Sequence, residues 1–487
     1  MPESTINRSI KISEYFNLNK TQAELDFVDV FILKDLPLFI DPWAVRQWSD
    51  GFSNVCYNQI SSYFECLIWL VRANKKEEAL DLLSWLHEPK ETHLGKAKDS
   101  FDGSWISDWF ANEIYEKLKD SQAVATWFLK DLEDTALMID GIAEDKISDM
   151  VTNIIRYQLI KYTQEQCKMH NIPMRPNTPT GIFWNPEEMD WISNREDMLI
   201  VEWGAMLLVP KFIVRKTLTI DAYEYFNIDI LEFEQARHLD MSSSLCKTLK
   251  KWWLRAPAKN ALKEILPKDI KSFIYTFSKE NIKVFEDYKK KKSQFFKPLE
   301  NQEIDESIDM NEIIDRKITE LWTINSGNTD ATRYEEFIKS ALEILFYPDL
   351  TGSRLHDRKN YGRKIIDITF QNRAWIWFFW DLPKIAIPCK EIFFECKNYS
   401  DDPANPEFDQ LNWRFSNHLS QVWFLICRKI ENRVLFINRC KDFVLQKRHY
   451  IFWLEDSDII QLLEFKKSNS ISEINEFLES RLNEIHN

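Results

Sequence analysis

Two residues apart at the end of an apolar run, Glu395 and Lys397 close the stretch EIFFECK over 391–397. The run has strand character. Side chains of a strand alternate faces, so Glu395 and Lys397 share one face while Ile392, Phe394 and Cys396 take the other. Charge placed in such a strand is costly unless it is paired or put to use. Upstream, RKIIDITF over 363–370 has the same design: Asp367 lies with Ile365 and Thr369, and Ile366, Ile368 and Phe370 face the opposite way. Carboxylates are hard oxygen ligands suited to Mg2+, which needs few of them from the protein. Pairing of the two strands as neighbours brings Asp367 and Glu395 within reach of one ion. The ExK triplet alone carries little weight, because Glu144-Asp145-Lys146 matches its spacing in a polar, helical stretch.

The elements that must position these residues are also legible. TRYEEFIKSALEILF places Tyr334, Ile338, Ala341, Leu342 and Leu345 on one helical stripe. Thr332 is a candidate N-cap with Glu335 closing a capping box; alternatively, Glu335 or Glu336 looks toward the sheet edge and the ion. After the ExK strand, NPEFDQLNWRFSNH starts a helix near Pro406 with Gln410 and Arg414 one turn apart. VWFLICR then reads as a buried strand. The order is helix, strand, long hairpin, strand, helix, strand.

Residues of about 330–430 resemble the PD-(D/E)xK nuclease superfamily, the restriction-endonuclease-like fold, in its Mrr-type and Holliday-resolvase-like branches found in bacterial anti-phage defence and restriction proteins. The residues that carry the resemblance are Glu335, Asp367 in IIDITF, Glu395-Cys396-Lys397 and Gln410. It covers about a fifth of the chain. The superfamily's proline ahead of the aspartate is replaced by Ile366, and the 367–395 gap requires an inserted loop or extra element in NRAWIWFFWDLPKIAIPCK. The aromatics there are either core or a stacking surface for bases. The resemblance implies a Mg2+-dependent endonuclease, with Mn2+ as a substitute, in which Asp367, Glu395 and Glu335 serve the metal. It further implies that Lys397 contacts the attacking water or the phosphate, and that Gln410 orients Lys397 or the backbone phosphate. The basic stretch after Cys427, with Arg428, Lys429, Arg433, Arg439, Lys447 and Arg448, supplies candidates for gripping phosphates.

The chain as a whole sets limits. Its 487 residues allow two or three domains, and 44% apolar content with 14% aromatics marks a globular protein. With 9 glycines and neither a GxxxxGK[ST] nor a GxGxxG motif, a nucleotide-phosphate cradle is not expected. No apolar run approaches a membrane span, and MPESTINRSIKISEYF lacks a signal-peptide core. Eight scattered cysteines without a CxxC pair argue against zinc and a disulfide framework and fit a reducing cytoplasm. Net charge is −14, and residues 1–150 hold about −12 of it, with 27 acidic against 15 basic residues. Asp26, Asp29, Asp35 and Asp41 form an acidic series there, better explained by caps and exposed strand edges than by a metal.

Three regions are expected in a multidomain α+β protein. Residues 1–170 are mainly helical and acidic, starting with short extended pieces and a helix at Asp41-Pro42. Residues 171–328 form a mixed α/β middle region, opened by a break at Pro173, Pro176, Pro179 and Gly181 and closed by a helical linker. Residues 329–487 form a restriction-endonuclease-like α/β domain with a central mixed sheet. The expected partner is nucleic acid, DNA ahead of RNA such as tRNA, with a phage or host protein trigger bound by the acidic region; a homodimer is allowed and no membrane is expected. The rival readings are a non-catalytic binding module that keeps the nuclease scaffold, and a helical interaction protein whose last domain only dimerises.

Overall fold

The computed structural model describes residues 10–48, 50–95, 106–126, 128–202, 204–248, 254–359, 364–399, 402–403, 408 and 420–486. Among them no helix is long and apolar enough to cross a membrane.

The N-terminal half is built on helices, as its periodicity predicts. Asp41 caps helix α1 (Pro42–Arg46), accepting the Trp43 amide at 3.0 Å with Pro42 in the first turn. Asp50 caps α2 (Gly51–Arg72), whose stripe of Ile60, Phe64, Leu67, Ile68 and Val71 is buried. Helices α3 (Lys76–Ser84), α4 (Ile106–Asp120), α5 (Glu144–Ile154) and α6 (Arg156–Met169) follow. Glu144-Asp145-Lys146 is the first turn of α5, as its polar setting implied.

The expected break at the prolines is instead a strand. β1 (Arg175–Asn185) pairs antiparallel with β2 (Asp190–Met198), and the register shifts where Pro176 and Pro179 lie. A two-stranded ribbon is edge on both sides, so the missing proline N–H groups are tolerated. Among its described residues, the alternating stretch over 198–220 forms only two-residue strands, because its apolar side chains are buried in the helical core rather than on a sheet face.

Two apolar cores result. One gathers residues from Ile12 to Ile304, and the second from Ile313 to Ile485, with Ala23 reaching into it from the N-terminal segment. Helix α7 (Met310–Leu321), expected in a linker, contributes Ile313, Ile314 and Leu321 to the second core.

That second core surrounds a five-stranded sheet. Its strands are β3 (Leu350–Lys359), β4 (Lys364–Asn372), β5 (Glu391–Lys397), β6 (Val422–Cys427) and β7 (Tyr450–Glu455), in the order β7-β6-β5-β4-β3. The β3–β4 and β4–β5 pairs are antiparallel, and β5–β6 and β6–β7 are parallel. The parallel strands are apolar on both faces, as sheets covered on both sides require. Helix α8 (Ala331–Phe346) precedes the sheet, α9 (Trp377–Lys384) fills the gap between β4 and β5, and α10 (Arg433–Lys447), α11 (Asp456–Lys467) and α12 (Ile471–His486) complete the layers. The long gap after Asp367 thus holds an extra element. Its Phe378 and Phe379 are core, whereas Trp377 and Trp380 are exposed.

Candidate active site

β4 and β5 pair with Ile368 opposite Phe394 and Phe370 opposite Ile392. These four side chains are fully buried on one face of the sheet. The same register carried one residue further sets Asp367 level with Glu395, on the other face. The Cys396 amide donates to Asp367 Oδ2 at 2.9 Å, which ties the two strands together at this point. Lys397 Nζ donates to Glu395 Oε1 at 2.8 Å; the Glu395 side chain is 2% exposed and that of Lys397 is 16%. The parity read from the sequence thus brings Asp367, Glu395 and Lys397 to one place.

Glu335 joins them from the first turns of α8. The expected capping box on Thr332 does not form, because the helix starts at Ala331 with Asp330 at its cap, and the Asp330 carboxylate accepts the Asn325 amide at 2.9 Å. Glu335 is therefore not used in capping. Burial raises its pKa, the nearby Glu395 raises it further, and Lys397 opposes the rise. A staple sets α8 against β5: Asn398, just past the strand, donates Nδ2 to the carbonyls of Asn325 at 3.0 Å and Gly327 at 2.8 Å. Gln410 lies outside the described residues.

One neighbour was not anticipated. β3 was not expected as a strand, since TGSRLHDRK lacks apolar alternation. It pairs with β4 through Leu355 opposite Ile368 and Asp357 opposite Ile366, which sets His356 level with Asp367. His356 Nε2 lies 3.6 Å from Glu335 Oε2, and the imidazole is 57% exposed. Its φ of 49° is a left-handed conformation, rare for a non-glycine residue inside a strand. The isolated position of His356 in the sequence held no signal of this.

The chemistry of the donors suits a hard divalent cation. Asp367 and Glu395 offer carboxylate oxygens from adjacent strands, and Mg2+ needs only one or two such ligands because it keeps its waters. Among the described residues no group of three or more His, Cys, Asp or Glu side chains is placed to hold a metal ion. The expected set of Asp367, Glu395 and Glu335 is thus not gathered as three ligands; Asp367 and Glu395 remain the candidate pair, with Glu335 near Glu395. Cys396 is buried and faces the core.

The basic stretch after Cys427 is largely engaged within the fold. Arg428 pairs with Asp456 at 2.9 Å, donates to the Ile324 carbonyl and lies 4.8 Å from the Tyr334 ring, so it braces α8 against the sheet. Arg433 pairs with Glu484, Lys429 with Glu431, and Arg439 donates to the Pro403 carbonyl. Arg358 is exposed on β3 two residues beyond His356, opposite Ile365 of β4.

Residues 17–221 match a family model described as a domain of unknown function, DUF8370. The match ends well before Glu335 and covers much of the first core. No curated protein and no solved structure matches the chain.

Proposed function

We propose that this chain is a metal-dependent endonuclease that hydrolyses phosphodiester bonds of nucleic acid, with its restriction-endonuclease-like domain in the second core. The observation that carries the proposal is the meeting of Asp367, Glu395 and Lys397 on one face of adjacent antiparallel strands, beside Glu335. The succession α8, β4, β5 and β6 keeps the helix and three strands that the resemblance rests on; β3 is an addition to that order, and the helix expected near Pro406 lies almost entirely outside the described residues. A Mg2+ or Mn2+ ion held by Asp367 and Glu395 would lower the pKa of a bound water and offset charge developing at the phosphate. Lys397 would donate a hydrogen bond to that water or to a phosphate oxygen, exchanging its contact with Glu395 for one with substrate. Glu335 would accept from waters at the edge of the site. By analogy the preferred substrate is DNA. The first core is assigned a sensing or regulatory role in bacterial anti-phage defence, inside the cytoplasm.

A second reading is favoured by the Lys397–Glu395 pair itself, since a closed ion pair is also what a chemically silent relative of the fold would keep. Incubation of the purified chain with supercoiled plasmid and, separately, with tRNA separates the two. Cleavage of either that needs Mg2+, stops with EDTA and is absent in Lys397→Ala and Asp367→Ala supports the nuclease and names its substrate. Both variants cleaving like the parent chain would leave only the silent scaffold.

A further inference from the structure

The three elements that carry Glu335, His356 and Asp367 are each held by a buried carboxylate of the N-terminal segment. Glu24, fully buried, accepts the Ser340 hydroxyl of α8 at 3.0 Å and pairs with Lys317 at 2.8 Å and Arg316 at 2.6 Å on α7. Asp26, 3% exposed, accepts the Gly352 amide of β3 at 2.8 Å through Oδ1 and the Tyr162 hydroxyl of α6 at 2.9 Å through Oδ2. Asp50 caps α2 through Oδ1 and holds Arg373, the residue after β4, at 2.7 Å through Oδ2. Arg373 in turn donates Nε to Thr351 Oγ1 at 2.6 Å and packs its guanidinium 3.6 Å from the Phe212 ring centroid. Both Asp50 and Arg373 are nearly closed to solvent.

We propose that Glu24, Asp26 and Asp50 are positioning residues, through which the first core sets the geometry of the candidate site. An apolar contact between two cores tolerates sliding. A buried carboxylate does not, because its energy depends on direction and on keeping its partner. Ser340 is five residues from Glu335 along α8, Gly352 four from His356 along β3, and Arg373 six from Asp367, so each hold acts within two turns of helix or a short length of strand. A shift of the first core on binding a trigger would reach all three elements at once. The residues sit inside the 17–221 match, which gives that region a mechanical task. The activity readout of this inference rests on the nuclease reading; its structural readout does not.

Asp50→Asn in the full chain weakens the hold on Arg373 and retains an oxygen to cap α2. Amide exchange followed by mass spectrometry is expected to speed at least tenfold in peptides covering 364–372 and 391–397 and to stay unchanged in β7. Cleavage at saturating Mg2+ should lose kcat at least tenfold with KM for nucleic acid unchanged, and Asp50→Glu should restore part of it. Ser340→Ala, which deletes only a hydroxyl, tests the hold on α8 should Asp50→Asn fail to fold; it should speed exchange in 331–346. Unchanged exchange in these peptides, in whichever variant folds, overturns the proposal. Faster exchange in a chain that never cleaves would sustain the positioning role and sink the nuclease reading. The reverse, a cleaving chain indifferent to Asp50→Asn in both readouts, would do the opposite.

Discussion

Replacing Lys397 by methionine keeps most of the side-chain volume and removes the charge that lies 2.8 Å from Glu395. Breaking a buried ion pair by deleting one partner costs about 3–5 kcal/mol. The Lys397 side chain retains some solvent contact, which places the cost at the lower end, about 3 kcal/mol in neutral solution. With a urea m-value of roughly 3 kcal/mol/M, the unfolding midpoint falls by about 1 M, readable from tryptophan fluorescence. The deficit should also depend on pH. Glu335 already has a raised pKa, and Lys397 is the charge opposing that rise. A carboxyl raised in the native state holds its proton more tightly there than in the unfolded chain. Its native form is therefore least penalised at low pH and loses stability as pH climbs above the ordinary carboxyl range. Lys397→Met pushes Glu335 higher still, so the deficit should be larger at pH 8 than at pH 5. A variant as stable as the parent at pH 8, or a deficit equal at both pH values, would refute the electrostatic account of the site.

Asp367→Asn should lose cleavage by about a hundredfold or more through the missing charge, yet keep the Cys396 amide protected, because the asparagine oxygen can still accept it. Asp29 accepts the Ser13 amide and hydroxyl while buried, and burial pushes its pKa up to about 6. Its ionisation opposes folding as pH rises from about 4 to above 6, by up to about 3 kcal/mol; Asp29→Asn should raise the urea midpoint at pH 8 and leave it nearly unchanged at pH 4. Arg428→Ala should lower stability by about 2 kcal/mol through its lost charged hydrogen bonds, while the salt dependence of nucleic-acid binding, measured by fluorescence anisotropy, stays that of the parent.

Sequence alone determined what depends on near neighbours. The shared face of Glu395 and Lys397 follows from the two-residue period of a strand, and the stripes of α2 and α8 follow from the helical period. The cap at Asp41 needed only the proline beside it. Where β4 meets β5 was decided by tertiary structure, since the register spans the inserted α9 and rests on Ile368 and Phe394 finding one core. The same holds for β3: its residues are polar, and pairing with β4 rather than its own pattern makes it a strand and brings His356 beside Asp367. Asp26 shows the limit most clearly. Within an acidic series it read as a cap or an exposed edge, yet it is buried against Gly352, 326 residues away. Local sequence fixes which way a side chain faces along its own element; the partner that makes a buried charge tolerable is supplied by distant chain, and only the folded packing selects it.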